Sequence, residues 1–77
     1  MVGAYILITA KPGKAGDMVK EVSNVEGVTS IHAVTGPYDA IAYAEVDGYS
    51  KIGDLVVSQI QKIDGVDRTL TCMTVSL

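Results

Sequence analysis

The segment "VTGPYDA", residues 34–40, places one carboxylate, Asp39, directly after a Gly-Pro turn and at the start of an apolar run. Pro37 suits the second position of a type I turn, and Gly36 tolerates almost any backbone angle. Asp39 therefore has two interpretations, a cap on the turn amides or a binding carboxylate on a hairpin. Because an α-amino acid carries a carboxylate and an ammonium group, it suits a turn that offers backbone N–H groups beside a carboxylate.

Three threonines lie in the last apolar run, "VDRTLTCMTV", and the first two are closely spaced. Thr69 and Thr71 are two residues apart, so in a strand they share one face of the sheet. They are either residues that favour β-structure or hydrogen-bonding groups for a ligand. The run alone does not choose between these interpretations.

The other reactive residues form no recognisable catalytic or metal-binding pattern. His32 is the only histidine and Cys72 the only cysteine, and no spacing connects them. A single cysteine excludes an internal disulfide and a cysteine-based zinc site, and in an apolar strand it is most often a small core residue. Glycine-rich nucleotide-phosphate motifs are also absent. We therefore predict no catalytic residue, no metal site and no cofactor.

Apolar periodicity predicts six elements in the order β-α-β-β-α-β. Four runs are typical of strands, and two segments carry apolar residues at helical spacing. The strands are 3–10, 28–35, 39–46 and 66–75; the helices are 14–24 and a segment from a cap at Asp47 or Ser50 to Ile63. A half-chain repeat supports this order, because "VEGV" at Val25 returns as "IDGV" at Ile63, each time between helix and strand. The order predicts a ferredoxin-like α+β fold, a four-stranded antiparallel sheet with both helices on one face.

The alternation within the strands places apolar side chains on both faces of this sheet. Strand one carries Ile6 on one side and Tyr5 and Leu7 on the other, and strand three carries Ile41 and Tyr43 opposite its alanines. Helices cover only one face, and an exposed apolar face usually marks an interface. We therefore predict a homodimer, a dimeric α/β sandwich in which two sheets stack.

Length and charge restrict the remaining function classes. The chain has 77 residues, which predicts one domain, 1–77, and a net charge of −3. That charge argues against direct nucleic-acid binding, because phosphate contacts need a basic face. No apolar run reaches the length of a membrane helix, and the N-terminus does not resemble a signal peptide. We expect a cytoplasmic location.

Two short motifs in this order, Thr35-Gly36-x-Tyr38-Asp39 and Gly65-Val66-x-Arg68-Thr69-x-Thr71, resemble the ligand-sensing RAM domain of the Lrp/AsnC (feast/famine) transcription regulators. The resemblance covers residues 4–75. It implies a β-α-β-β-α-β fold that pairs through its sheets and commonly forms rings of dimers, with amino acids bound in a cleft between subunits. The ligand-binding residues that it implies are Gly36, Tyr38, Asp39, Asp47, Thr69 and Thr71.

The regulators of this family carry an N-terminal helix-turn-helix, whereas this chain begins at strand one. The resemblance therefore implies a non-enzymatic, stand-alone sensing module that modulates transcription through a DNA-binding Lrp/AsnC relative. Two alternatives stay open. One is a small dimeric ferredoxin-like enzyme of monooxygenase or isomerase type, for which His32 is the available base. The other is a purely structural oligomerisation domain without a ligand.

Overall fold

A computed structural model describes all residues, 1–77, and contains the predicted elements in the predicted order. The strands are β1 (Val2–Ala10), β2 (Val28–Ala33), β3 (Ala40–Val46) and β4 (Val66–Met73); the helices are α1 (Ala15–Ser23) and α2 (Tyr49–Leu55), and α2 continues as a π-helical segment (Val56–Ile60). All strand pairs are antiparallel, in the order β2-β3-β1-β4. The ferredoxin-like α+β prediction is therefore confirmed.

The core lies between the two helices and one face of the sheet, which we call the inner face. Alternate side chains of β1 and β3 point from this face toward the helices. Ile6 and Ile8 of β1 are fully buried, and so are all three alanines of β3, Ala40, Ala42 and Ala44. Complete burial of one isoleucine side chain contributes roughly 1.5–3 kcal/mol. The helical residues that complete this core are Met18, Val22, Ile52, Leu55, Val56 and Ile60.

The half-chain repeat corresponds to two equivalent turns in the structure. The N–H of Val28 donates to the carbonyl of Val25 at 3.1 Å, and the N–H of Val66 donates to that of Ile63 at 3.0 Å. In the first turn Gly27 has φ +100°, a left-handed conformation that favours glycine. Each turn ends a helical segment and directs the chain into the next strand of the sheet.

The second helix differs from its prediction at its start and in its interior. Gly48 is the N-cap, and no side chain caps the helix, so the prediction of a cap at Asp47 or Ser50 is wrong. In the π-helical segment, the N–H of Gln61 donates to the carbonyl of Val56 at 2.8 Å, five residues back. Such segments widen the helix by one residue per turn and are frequent at functional sites.

The face of the sheet away from the helices has no cover within the chain. We call it the outer face and define it by Tyr5, Leu7, Ile41, Tyr43 and Leu70. Leu7 lies between Ile41 on β3 and Leu70 on β4, so these side chains form an apolar row across three strands. Tyr5 and Leu70 remain 48% and 49% exposed. The structure thus confirms that both faces of the sheet carry apolar side chains.

Candidate ligand site at one end of the sheet

The hairpin between β2 and β3 depends on a glycine. Gly36 has φ +119°, which side chains rarely adopt, while the space around it is open. A substitution there is therefore opposed by backbone conformation and not by a clash. The turn leads through Tyr38 and Asp39, both partly buried, into the first residue of β3.

The carboxylate of Asp39 caps a neighbouring strand. Its Oδ2 accepts a 2.7 Å hydrogen bond from the N–H of Ala10, the last residue of β1, while Oδ1 makes no hydrogen bond within the chain. Its backbone N–H donates to the carbonyl of Ile8 at 2.9 Å, and its carbonyl accepts from Val34 at 3.0 Å. The expectation that Asp39 caps the amides of its own turn, at the first position of strand three, is therefore corrected. The Asp39 carboxylate thus takes the place of the next backbone hydrogen bond between β3 and β1.

A second hydrogen bond to a side chain joins β1 to β4 at the same end of the sheet. Thr9 Oγ1 accepts a 3.0 Å hydrogen bond from the N–H of Arg68 on β4. The register between β1 and β4 shifts here, since Thr9 lies opposite Arg68 but Ala10 lies opposite Val66. Asp39 and Arg68 thus flank the last two residues of β1 from opposite sides.

Thr69 and Thr71 lie on the face that the helices cover, along the β4 edge. They are opposite Ile8 and Ile6, whose side chains are buried in the core. Thr71 is partly exposed at this edge, and Thr69 lies within reach of the helical layer. Ile8 also lies opposite Ala40, the residue after Asp39, so one strand separates Thr69 from the start of β3. The structure therefore places the two threonines one strand away from the hairpin residues.

Gln61 is a polar residue beside β4 that the sequence motifs did not identify as part of the site. Its Nε2 donates a 2.9 Å hydrogen bond to Thr69 Oγ1, which leaves the Thr69 hydroxyl proton to donate elsewhere. The π-helical segment ends at Ile60, and Gln61 is its C-cap, from which the side chain reaches β4. An irregular helical turn has no clear signature in one sequence, and the contact joins residues from two elements.

Asp47 lies at the opposite end of β3 from Asp39. The seven residues of β3 separate the two carboxylates, and the eight steps between them at about 3.3 Å each give roughly 26 Å along the strand. Asp47 instead lines an open groove of about 500 Å³ together with Lys51, Asp54 and Leu55. Of the predicted site residues, Asp47 is the one that this chain does not bring near the hairpin.

The residues set aside as catalytic candidates lie outside this site. His32 is exposed on edge strand β2, opposite Ile41, and so it does not line a cavity between the sheet and the helices. Cys72 is exposed as well, opposite Tyr5, and the prediction that it is a small core residue is therefore wrong. It shares the alternation of Leu70, so it lies on the outer face. No group of three His, Cys, Asp or Glu side chains is arranged to hold a metal ion.

Two tyrosines pack on the outer face. The rings of Tyr5 and Tyr43 lie 4.8 Å apart between centroids at 48°, and the Tyr43 hydroxyl donates to Glu45 at 3.3 Å. Partial desolvation, and then the neighbouring Glu45 carboxylate, raise the pKa of Tyr43 above its ordinary value. The Tyr43 hydroxyl lies over Gly3, where a Cβ would overlap with it. This close approach explains a glycine inside β1.

The chain is a small α+β domain with polar groups gathered at one end of its sheet. The chain belongs to the family described as the Lrp/AsnC ligand binding domain, whose pattern residues 3–76 match. No helix of the chain is long and apolar enough to cross a membrane.

Known proteins that resemble the chain agree with this assignment. An uncharacterised HTH-type transcriptional regulator of Pyrococcus horikoshii, PH1916, is 26% identical over 92% of this chain and 49% of its own length. The crystal structure of TTHA0845 from Thermus thermophilus is 26% identical, with a TM-score of 0.94 over 100% of this chain and 96% of that one. The chain spans about half the length of the curated relatives that it matches.

A third protein shares the fold at lower identity. The transcriptional regulator NMB0573 from Neisseria meningitidis, solved as a complex with L-Met, is 19% identical, with a TM-score of 0.87 over 97% of this chain and 50% of that chain. At this identity the likeness shows a common fold only.

Proposed function

We propose that residues 1–77 act as one non-enzymatic unit that senses an amino acid, pairs with a second copy through the outer face and modulates transcription through a DNA-binding relative. The observation that carries this proposal is the match to a ligand-binding domain family over residues 3–76. The relatives named as HTH-type transcriptional regulators support the regulatory role. The exposed position of His32 gives no support to a catalytic cavity between sheet and helices.

The ligand in this proposal is an amino acid held at the Asp39 end of the sheet. The regulator of the same fold that was solved with L-Met supports the choice of ligand class. The unused Asp39 Oδ1 is an acceptor for an ammonium group, and Thr69 keeps a hydroxyl proton to donate. The residues of the site are Gly36, Tyr38, Asp39, Thr69 and Thr71, with Gln61 added from its hydrogen bond; Asp47 joins them only from another subunit.

Calorimetric titration with each of the twenty amino acids tests the ligand. We expect at least one to bind, and Asp39→Asn to bind it more weakly, because the amide keeps an oxygen for Ala10 but loses the charge that attracts an ammonium group. Asp17→Asn is the matched control, since Asp17 is exposed on α1. Absence of heat and of thermal shift with all twenty amino acids would remove sensing from the proposal.

The pairing surface in this proposal is the outer face. Light scattering at several concentrations is expected to give a dimer or a multiple of a dimer, because Tyr5 and Leu70 are half exposed in the isolated chain. Leu70→Glu should dissociate it. Val57→Glu is the control, because Val57 is 59% exposed on the π-helical segment, in the helical layer. A parent chain that stays monomeric at micromolar concentration would contradict the pairing.

The DNA-binding partner is tested separately. We expect native mass spectrometry of the chain mixed with a full-length HTH-type relative from the same genome to show a mixed dimer, because both carry the same ligand-binding fold. Leu70→Glu should abolish the mixed species and Val57→Glu should not. Only unmixed species with the parent chain would argue against this partner.

A further inference from the structure

Arg68 is the only arginine in the chain, and its guanidinium has no partner within it. The side chain is exposed and makes no hydrogen bond, since only the backbone N–H of Arg68 is bonded, to Thr9. The one ion pair in the structure joins Lys14 and Asp64, at 3.2 Å. A planar guanidinium binds a carboxylate through two parallel hydrogen bonds. An unpaired arginine beside a candidate amino acid site is therefore a candidate partner for the carboxylate of the ligand.

The backbone fixes the position of Arg68 relative to Asp39. Arg68 is bonded to Thr9 from the β4 side of β1, and Asp39 is bonded to Ala10 from the β3 side. The two charged residues are therefore separated by two strand spacings, about 10 Å between backbones. They make no ion pair with each other across this gap. An acidic and a basic residue thus flank the end of β1 without contact.

We propose that Arg68 binds the α-carboxylate of the amino acid whose ammonium group is held by Asp39, so that the ligand lies across the end of β1. This inference rests on the proposed function and concerns only the Asp39 part of its site, because Arg68 alternates with Thr69 and so lies on the opposite face of β4 from the two threonines. It differs from the expectation that turn amides of the hairpin hold the carboxylate. Arg68 then selects ligands with a free carboxylate, and amides or esters of the same amino acids bind weakly.

Lys11 is an unpaired cation close to this end of the sheet, and it supplies a control. Its backbone N–H donates to the carbonyl of Gly65 at 2.9 Å, while its side chain is exposed and makes no hydrogen bond. An ammonium group attracts a carboxylate as a point charge, without the geometry of a guanidinium. Lys11→Gln therefore removes a similar charge from the same end of the sheet but leaves Arg68 in place.

The experiment compares a free acid with its amide in the parent and three variants. The probes are L-methionine and L-methioninamide, together with whichever of the twenty amino acids binds best and its amide. The parent is expected to prefer the acid. Arg68→Gln should weaken acid binding by roughly ten- to a hundred-fold, the range for losing a hydrogen bond to a charged group, with little effect on the amide. Arg68→Lys should be intermediate, and Lys11→Gln should bind like the parent.

Thermal unfolding accompanies each titration and should show no change for Arg68→Gln, because the side chain is exposed and unbonded. Equal binding by the parent and Arg68→Gln would overturn the role of Arg68 and leave amino acid sensing intact. An equal loss in Lys11→Gln would also overturn it, since it would indicate general charge attraction. If the parent binds none of the twenty amino acids, the proposed function itself fails, and this inference fails with it.

Discussion

The hydrogen bond between Asp39 and Ala10 gives a prediction in which stability and binding separate. Asp39→Ala removes the acceptor of a 2.7 Å, partly buried hydrogen bond and leaves the Ala10 N–H without a partner. Losing a hydrogen bond to a charged group costs about 1.5–3 kcal/mol. In a domain of 60–100 residues each kcal/mol lowers Tm by roughly 4–8 °C, so Tm should fall by at least about 6 °C. The fold should be retained.

Asp39→Asn distinguishes the two roles of this carboxylate. The amide oxygen still accepts from Ala10, so the expected loss of stability is under about 1.5 kcal/mol, the value of a neutral hydrogen bond. Binding of an amino acid should weaken in both variants, because both lack the charge. Thermal unfolding is followed by circular dichroism at one fixed protein concentration, since pairing makes Tm depend on concentration. Hydrogen exchange at the Ala10 amide then reports the bond itself.

Two results would refute this reasoning. If Asp39→Ala unfolds at the parent temperature and the Ala10 amide stays equally protected, the carboxylate does not close the end of β1. If Asp39→Asn binds an amino acid as tightly as the parent, the charge has no role in binding and Asp39 is only a cap.

Three further substitutions test the packing. Gly3→Ala should cost about 1–3 kcal/mol in urea unfolding, because its Cβ would overlap with the Tyr43 hydroxyl; an unchanged midpoint would contradict this close approach. Gly27→Ala should cost about 1–3 kcal/mol in the same assay, because φ is +100° and the Cβ would lie 2.7 Å from Leu55, and a neutral result would disprove the strained turn. Lys14→Ala should lower the free energy of unfolding by less than about 1 kcal/mol, since its ion pair with Asp64 is exposed; a larger loss would show that this ion pair stabilises the fold more than an exposed pair should.

The order of elements and the faces of β1 were predictable because both depend on local periodicity. Residues two apart in a strand share a face, so Ile6 was assigned to the face opposite Tyr5 and Leu7, and it is fully buried. The repeated turn at Val25 and Ile63 was predictable for the same reason. Such signals lie within a few residues, and each element carries its own.

The partners of individual side chains were not predictable from the sequence. Asp39 and Ala10 are 29 residues apart, and their bond requires β1 and β3 to be neighbours in the sheet. Gln61, the C-cap of the π-helical segment, bonds Thr69 on β4, so the contact joins two elements that are separate in the sequence. The exposure of Cys72 had a local signal, because Cys72 alternates with Leu70 and not with Thr71, but average burial of cysteine argued the other way. Contacts of this kind depend on tertiary arrangement, which one sequence does not encode locally.

The distribution of side-chain sizes in β3 is the strongest physical reason to expect pairing. Its inner positions, Ala40, Ala42 and Ala44, are fully buried under the helices, whereas its larger side chains, Ile41 and Tyr43, lie on the outer face. A solitary sheet would gain more by burying the larger residues, because hydrophobic stabilisation grows with the apolar area removed from water. The larger side chains can reach the inner face only if β3 shifts by one residue against its neighbours. Such a shift would move every side chain of β3 to the other face at once and break its present register. The strand is therefore suited to a protein in which a second surface covers the outer face.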